Sequence, residues 1–348
     1  MNIEWKTEFN SFNSWKGLMY KSHYDAIIAG KFLPPIEVDI DPVNKCNLGC
    51  VFCNNKLTNM RGDVMTREHL LNLISFFKTW GVKGICFAGG EPTLHPDLAE
   101  AMYLCRDIAM PVSILTNGTF KHNQLKAAAD CCRWIGVSVD SACEVTYMNL
   151  KKVDMFDKVI DNIAKLAAYG ANEVTYKFLL HPRNQNEVYW AIKTAKELGC
   201  HRIHIRPISF MNYQRKEDKY DIGIIEHQVE RGRSEFEKDG FEIMYVKHKY
   251  NDNLHRKFEF KKCLVTPLIG IFSANGDITL CLDRKNDSSM VIGNHSDISK
   301  IPEIWGSQKH KDVIDRIKLK DCPKCTFNAY NEQIEKAVIN NKMDWEFV

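Results

Sequence analysis

Between residues 36 and 208, six short apolar runs alternate with amphipathic stretches of helical length, and this rhythm admits very few architectures. The predicted strands are 36–41, 84–88, 112–116, 134–140, 174–180 and 202–208. The predicted helices between them include 67–80, 156–169 and 187–198, each stopped by a glycine: Gly81, Gly170 and Gly199. A strand that reaches its neighbour through a helix runs parallel to it, so the pattern implies βαβ crossovers and a parallel sheet. The order of elements alone leaves open whether that sheet is flat or curled into part of a barrel. After residue 221 the pattern changes to a charged helix over 224–238, a strand near 241–247, and two apolar runs, 268–273 and 278–282, around Asn275-Gly276. Asn-Gly between apolar runs signals a hairpin, because glycine accepts positive φ. Two more helices are expected, at 302–319 and 330–340.

The 348 residues carry a net charge of +3, too small for a chain built mainly to coat nucleic acid. No run approaches the roughly 18 consecutive apolar residues of a membrane span. The first 17 residues lack the apolar stretch of a signal peptide. A cytoplasmic protein is expected, in which thiols stay reduced and serve as metal ligands, catalysts or core filler. Seven of the thirteen cysteines fall into two patterned groups.

The first group, Cys46-x3-Cys50-x2-Cys53, follows the first strand directly. Three thiolates on one loop can converge on one iron–sulfur cluster and leave one iron open to a small molecule that chelates through an amine and a carboxylate. The alternative is structural zinc with a distant fourth ligand, although zinc sites favour CxxC pairs. The second strand ends in Ala88-Gly89-Gly90-Glu91-Pro92, where glycines let backbone approach a ligand and the carboxylate can meet an ammonium. In the second group, Cys263-x12-Gly276-x4-Cys281 precedes Cys322-x2-Cys325. Four thiolates suit a fully ligated [4Fe–4S] cluster or a structural zinc equally well on spacing.

Strand alternation sorts the polar residues. Glu37, Asp39 and Asp41 share one face of the first strand; Gly136, Ser138 and Asp140 share one of the fourth; Thr175 goes with Lys177 and His204 with Arg206. These faces are expected to line an inner lumen while the apolar faces pack on helices. Lys177, His204 and Arg206 would give it positive charge, and Arg284 could add to it. Such a lumen suits a polar substrate, anionic or rich in hydroxyls. Cys86 shares the inward parity of Gly84 and Ala88, which makes it the candidate hydrogen-atom donor among the scattered cysteines. Cys105, Cys131, Cys132, Cys143 and Cys200 read as small hydrophobes, the commoner fate of buried cysteine and the plain alternative for Cys86 too. His95 and His181 are given no role.

Taken together, the CxxxCxxC loop and the GGEP turn resemble the radical S-adenosylmethionine (SAM) superfamily. The resemblance implies a SAM-cleaving [4Fe–4S] cluster on Cys46, Cys50 and Cys53, with Phe52 near the adenine and Gly89, Gly90 and Glu91 at the methionyl amine. It adds Asn117, Ser138 and Asp140 as SAM contacts; Lys151 stands where the family often has an arginine. It implies an α/β fold, a partial (β/α)6 TIM-like barrel over 34–220 with a lead-in at 1–33, and a small α+β cluster-binding extension within 221–348. The second cysteine group, with Ile304-Trp305, is similar to the twitch-type, truncated SPASM extension, which implies a second, auxiliary [4Fe–4S] cluster on Cys263, Cys281, Cys322 and Cys325. The chemistry implied is reductive cleavage of SAM to a 5′-deoxyadenosyl radical, which abstracts a hydrogen atom from a small molecule such as a sugar or nucleotide. A reductant such as flavodoxin or ferredoxin would supply the electron. On this view some lumen residues simply pair with Asp39, Asp140 or SAM. A maturase that modifies a ribosomally made peptide is the alternative; such enzymes commonly carry an N-terminal recognition domain, for which about 33 residues are too few. The molybdenum-cofactor GTP cyclase is set aside on its Gly-Gly tail and different cysteine spacing, since this chain ends Trp345-Glu346-Phe347-Val348. A noncatalytic metal scaffold would have no use for GGEP beside three-cysteine ligation.

Overall fold

The computed structural model describes residues 14–208, 220–246, 258, 260–322 and 325–339. Residues 1–13, Lys247, the Pro323-Lys324 pair, Asn340 and residues 345–348, which expectations touched, lie outside the described residues. After α1 (Lys21–Ile28) the chain enters β1 (Glu37–Asp41), then α2 (Lys56–Asn59) and α3 (Arg67–Trp80). The alternation continues through β2 (Gly84–Phe87), α4 (Leu98–Asp107), β3 (Val112–Thr116), α5 (His122–Cys131) and β4 (Cys132–Ser138). It goes on through α6 (Glu144–Lys151), α7 (Phe156–Ala168), β5 (Val174–Leu180), α8 (Val188–Glu197) and β6 (Arg202–Pro207). Then come α9 (Ile222–Phe236), β7 (Glu242–Tyr245), β8 (Ile269–Ser273), β9 (Asp277–Thr279), β10 (Val291–Asn294), α10 (Ile301–Ile304), α11 (Gln308–Arg316) and α12 (Asn328–Gln333).

The strands form one sheet in the order β10-β9-β8-β1-β2-β3-β4-β5-β6-β7. From β8 through β1 to β7 every pair is parallel; β8, β9 and β10 pair antiparallel as a meander that opens with the hairpin expected at Asn275-Gly276. Ile269 of β8 and Met244 of β7 stand at opposite ends of the parallel run, yet both line one cavity. The sheet is therefore curled, the partial barrel expected. Four of its strands come from the 221–348 segment. β7 extends one edge, and β8 pairs with β1 along Glu37–Asp41, satisfying backbone groups that an edge strand would leave bare.

Helix α3 shows why these stretches fold as they do. Leu70, Leu73, Ile74 and Phe77 repeat at helical spacing and are wholly buried against the sheet, each contributing roughly 1.5–3 kcal/mol. Thr66 caps the helix by accepting from His69 N at 3.2 Å, and Gly81 ends it at φ +104°. On the sheet side Val38 and Ile40 join this core, so Glu37 and Asp39 face the other way. Two expectations are corrected. The helix over 302–319 is two, α10 and α11, because Gly306 takes φ +81° and Ser307 starts a new cap on His310 N. The fourth strand ends at Ser138, two residues early, because Asp140 turns into the left-handed region at φ +63°.

Candidate functional site

The Cys46–Cys53 loop is gripped from three directions. Behind β2, Gly90 N donates to Val43 O (3.1 Å) and Glu91 N to Lys45 O (2.8 Å). A Cβ on Gly90 would fall 2.1 Å from Lys45 O, and one on Gly89, at φ +106°, would fall 2.9 Å from Val43 O. The glycines are thus required by the loop's own stem, a packing reason beyond any ligand's approach. Past β3, Asn117 Nδ2 donates to Asn47 Oδ1 (2.8 Å), and Asn47 Nδ2 donates to Thr119 Oγ1 (3.1 Å). At the end of α6, Gly49 N donates to Lys151 O and Val51 N to Leu150 O, both at 2.9 Å. Cys46, Cys50 and Cys53 are free thiols that line one cavity of about 690 Å³. Burial pushes all three thiols upward, Cys46 to about 12.

The seven residues expected to contact SAM line the same cavity: Phe52, Gly89, Gly90 and Glu91 on one side, Asn117, Ser138 and Asp140 on the other. Glu91 is buried, and its carboxylate accepts from Thr93 N (3.1 Å), Thr93 Oγ1 (2.7 Å), Thr116 Oγ1 (2.6 Å) and Asn117 N (2.7 Å). Burial raises its pKa, and those four donors oppose the rise. Asp140 accepts from Leu179 N at 2.6 Å and from Lys151 Nζ. Lys151 Nζ also lies 5.4 Å from the centre of the Phe52 ring. Burial works to lower the Lys151 pKa, but Asp140 and Cys50 overcome it and the net shift is upward.

Lys177, His204, Arg206 and Cys86 line the cavity as well. Register aligns Ser138 with Lys177, Lys177 with His204, and His204 with Met244, so the basic residues stand side by side across β5 and β6. Gly136 makes room for them, since a Cβ there would meet Lys177 Cδ at 2.9 Å and Leu115 Cδ2 at 2.8 Å. Among the described residues Arg206 Nε has no hydrogen-bond partner. Three inward expectations fall outside the lining. Thr175 is buried and donates to Glu173; Asp41 lies behind the wall; Arg284 bonds Asp287 and stands beside Cys322. The cation from that turn is Lys285, whose Nζ reaches Asp41 at 2.7 and 2.8 Å. The 3₁₀ turn Leu282–Arg284 sets this phase, and strand parity gives no hint of it. Lys16, Met244 and Tyr245 also line the cavity from elements assigned no site role. Cys105, Cys132 and Cys200 are core filler as expected.

The C-terminal thiols converge around Asn331, whose Nδ2 lies 3.6 Å from Cys325 Sγ and 4.0 Å from Cys263 Sγ. Burial, then Asp283 and Cys263, raise the Cys281 thiol; burial, then Cys322, raise Cys263 to about 12. Among the described residues, the group with three ligand atoms within 4.8 Å of one another is Glu37, Asp39 and Cys86, neither cysteine set. Cys325 faces the main cavity, so the second set borders the chamber of the first.

A family model described as the radical SAM superfamily matches residues 40–195, and one described as an iron-sulfur cluster-binding domain matches 269–326. The chain belongs to the radical SAM superfamily. This radical SAM enzyme has a C-terminal auxiliary-cluster domain, and its cofactors are SAM, a SAM-binding [4Fe–4S] cluster and auxiliary iron–sulfur. It is similar to a protein named probable GTP 3',8-cyclase from Saccharolobus islandicus (strain M.14.25 / Kamchatka #1), 28% identical over 224 residues, 62% of this chain and 72% of that one. A protein of the same name from Metallosphaera sedula is 28% identical over 181 residues, 51% of this chain and 56% of that one. Among solved structures, Streptococcus suis SuiB bound to precursor peptide SuiA gives a TM-score of 0.68 at 16% identity, covering 99% of this chain and 84% of SuiB. Native anSMEcpe with bound AdoMet and Cp18Cys peptide gives 0.61 at 19% identity, covering 84% and 88%. At these identities the two structures show the fold. The donors fit the cofactors: three thiols on one loop open to one cavity beside a carboxylate, and four more lie close enough to act on one another's charge, two of them at the Asn331 amide. Among the described residues no helix is long and apolar enough to cross a membrane.

Proposed function

We propose that this radical SAM enzyme acts on a polar small molecule, such as a sugar or nucleotide, held in the lumen beneath the Cys46–Cys53 loop. The observation that carries this reading is the single cavity lined by Cys46, Cys50 and Cys53 at one end and by Lys177, His204 and Arg206 within. When bound, the cluster and SAM together supply a 5′-deoxyadenosyl radical that takes a hydrogen atom from the substrate. The chain's residues then have separate roles. Cys46, Cys50 and Cys53 would hold the first cluster, and Cys263, Cys281, Cys322 and Cys325 the auxiliary one. Glu91 presents a buried carboxylate, and Phe52 offers an apolar ring backed by Lys151. Lys177, His204 and Arg206 would orient anionic or hydroxyl groups, with Arg206 Nε open for a hydrogen bond. Cys86, buried beside Asp39 and Glu37, has its thiol pushed well above the usual value first by burial, so it keeps its hydrogen at neutral pH. That suits a donor returning a hydrogen atom to a substrate carbon. A small electron-transfer protein is the natural reductant, and thirteen cysteines with no disulfide between them fit a cytoplasmic setting.

The relatives named GTP 3',8-cyclase support a nucleotide as the first candidate, whereas SuiB and anSMEcpe, both solved with peptides, support a peptide as the second. The test is anaerobic turnover of reconstituted enzyme with SAM and dithionite against GTP, nucleotide sugars and amino sugars, and against short peptides. 5′-Deoxyadenosine and product mass are followed. Turnover only with peptides would replace the small-molecule reading, and no 5′-deoxyadenosine under any condition would end both.

A further inference from the structure

The wall of the cavity opposite the basic residues carries a charge arrangement that SAM cleavage leaves unused. Glu37 and Asp39 point inward from β1, and the register places Asp39 directly beside Cys86 of β2. A carboxylate oxygen of each and the Cys86 sulfur lie within 4.8 Å of one another. Asp39 is 2% exposed, and among the described residues its Oδ2 has no hydrogen-bond partner even though the residue lines the cavity. A buried acceptor without a donor is costly, and such a group marks where a ligand completes the structure.

The neighbouring charges say what kind of ligand. Lys16 stands by Glu37; Lys285 is bonded to Asp41 and faces Asp39. Among the described residues two ammonium groups face three carboxylates; burial raises the Glu37 and Asp39 pKa values, and a cationic ligand draws both into the ionised form, with one negative charge in excess. A ligand with one positive charge neutralises that excess, whereas a divalent ion would leave the pocket positive between two lysines. Ammonium or guanidinium hydrogens also supply the donors that Asp39 Oδ2 lacks.

Building on the reading of this cavity as the substrate chamber, we propose that Glu37 and Asp39 form a subsite for a cationic amine or guanidine group of the substrate. The substrate then spans the lumen, its positive end on β1 and its anionic or hydroxyl-bearing part toward Lys177 and Arg206. This narrows the class to polar metabolites that carry a cationic amine, such as nucleotides with an aminated sugar or side chain, amino sugars or amino-acid derivatives. It also places Cys86 beside the amine end.

The test uses reconstituted holoenzyme with SAM, under anaerobic conditions, and reads binding by quenching of tryptophan fluorescence, since Trp134 lines the cavity. The probes, each with one net positive charge, are 4-aminobutan-1-ol, 4-guanidinobutan-1-ol and L-lysine against butane-1,4-diol. The amines should bind at least about tenfold tighter than the diol, the size of one charge-assisted hydrogen bond. Asp39→Asn, with iron content intact, should lose about tenfold for the amines and nothing for the diol, and Glu37→Gln should move the same way. Equal binding of diol and amines, no saturation by any amine up to about 10 mM, or unchanged amine affinity in Asp39→Asn and Glu37→Gln would each overturn the proposal. Stoichiometric Mn²⁺ binding seen by electron paramagnetic resonance and lost in Asp39→Asn would overturn it in favour of a metal site. SAM cleavage by the wild type, measured in parallel with dithionite, reports separately on the radical SAM chemistry.

Discussion

Replacing Lys151 by methionine would strip one partner from an ion pair that water scarcely reaches. Lys151 is 2% exposed and Asp140 is fully buried, with its other oxygen occupied by Leu179 N. Methionine keeps much of the stem's volume, so the loss is mainly the charge. A buried carboxylate left without its partner costs about 3–5 kcal/mol. A chain of 348 residues unfolds with an entropy of roughly 0.7 kcal/mol per degree, so Tm should fall by about 4–7 °C. The contact of Lys151 O with Gly49 N belongs to the backbone and survives the substitution. Adding Asp140→Asn removes the stranded charge, and the double variant should recover at least half of the loss. Anaerobic circular-dichroism melts at one fixed scan rate make the comparison. A fall of less than about 2 °C, or a double variant no more stable than Lys151→Met, would refute the view that this pair is an electrostatic prop beneath Phe52 and the cysteine loop.

Gly90→Ala puts a methyl 2.1 Å from Lys45 O, so the loop before Cys46 must move; iron per chain should drop from about eight to about four, read by metal analysis. Cys281→Ala should also halve the iron yet keep SAM cleavage, and one zinc per chain with iron near four in the wild type would contradict the auxiliary-cluster assignment. His295 is held at about 4 by burial, with His69 Nε2 2.8 Å from its Nδ1 contributing. A histidine whose folded pKa lies below its unfolded value of about 6.5 contributes stability that is present above pH 6.5 and is lost as pH falls toward 4, about 3 kcal/mol in all. The Tm difference between wild type and His295→Asn should therefore shrink over that window, and a constant difference would disprove the coupling. Glu91→Gln turns an acceptor of four hydrogen bonds into a group with two hydrogens of its own, so SAM affinity should fall by tenfold or more in equilibrium binding.

Some of this protein was written in contiguous residues. Helix α3 falls where its apolar spacing put it, because Leu70, Leu73, Ile74 and Phe77 need one buried face and Thr66 and Gly81 fix its ends. The Cys46–Cys53 loop and the Gly89-Gly90-Glu91 turn are legible for a similar reason, since each pattern is complete within a few adjacent residues. The inward set of Lys177, His204 and Arg206 follows from two-residue alternation, which holds wherever a strand has a helix-covered face. Parity failed at Thr175 and Asp41, because sharing a face does not say at what depth the lumen lies.

The rest depended on which distant segments meet. Met244 and Tyr245 enter the cavity on β7 and Lys285 on the turn after the β8–β9 hairpin, because those strands join the sheet and the sheet curls, while Lys16 comes from the N-terminal 3₁₀ segment Ser14–Tyr20. No local signal sets that meeting, since strand pairing between β1 and β8 joins residues more than two hundred positions apart. The sequence by itself determined the alternating fold, the loop that can carry a cluster and the polarity of the lumen. Only the tertiary structure decided that Lys151 closes on Asp140, that Asn331 gathers the C-terminal thiols, and that Asp39 beside Cys86 is left with an open acceptor. Burial and register create those relations, and both are properties of the folded chain.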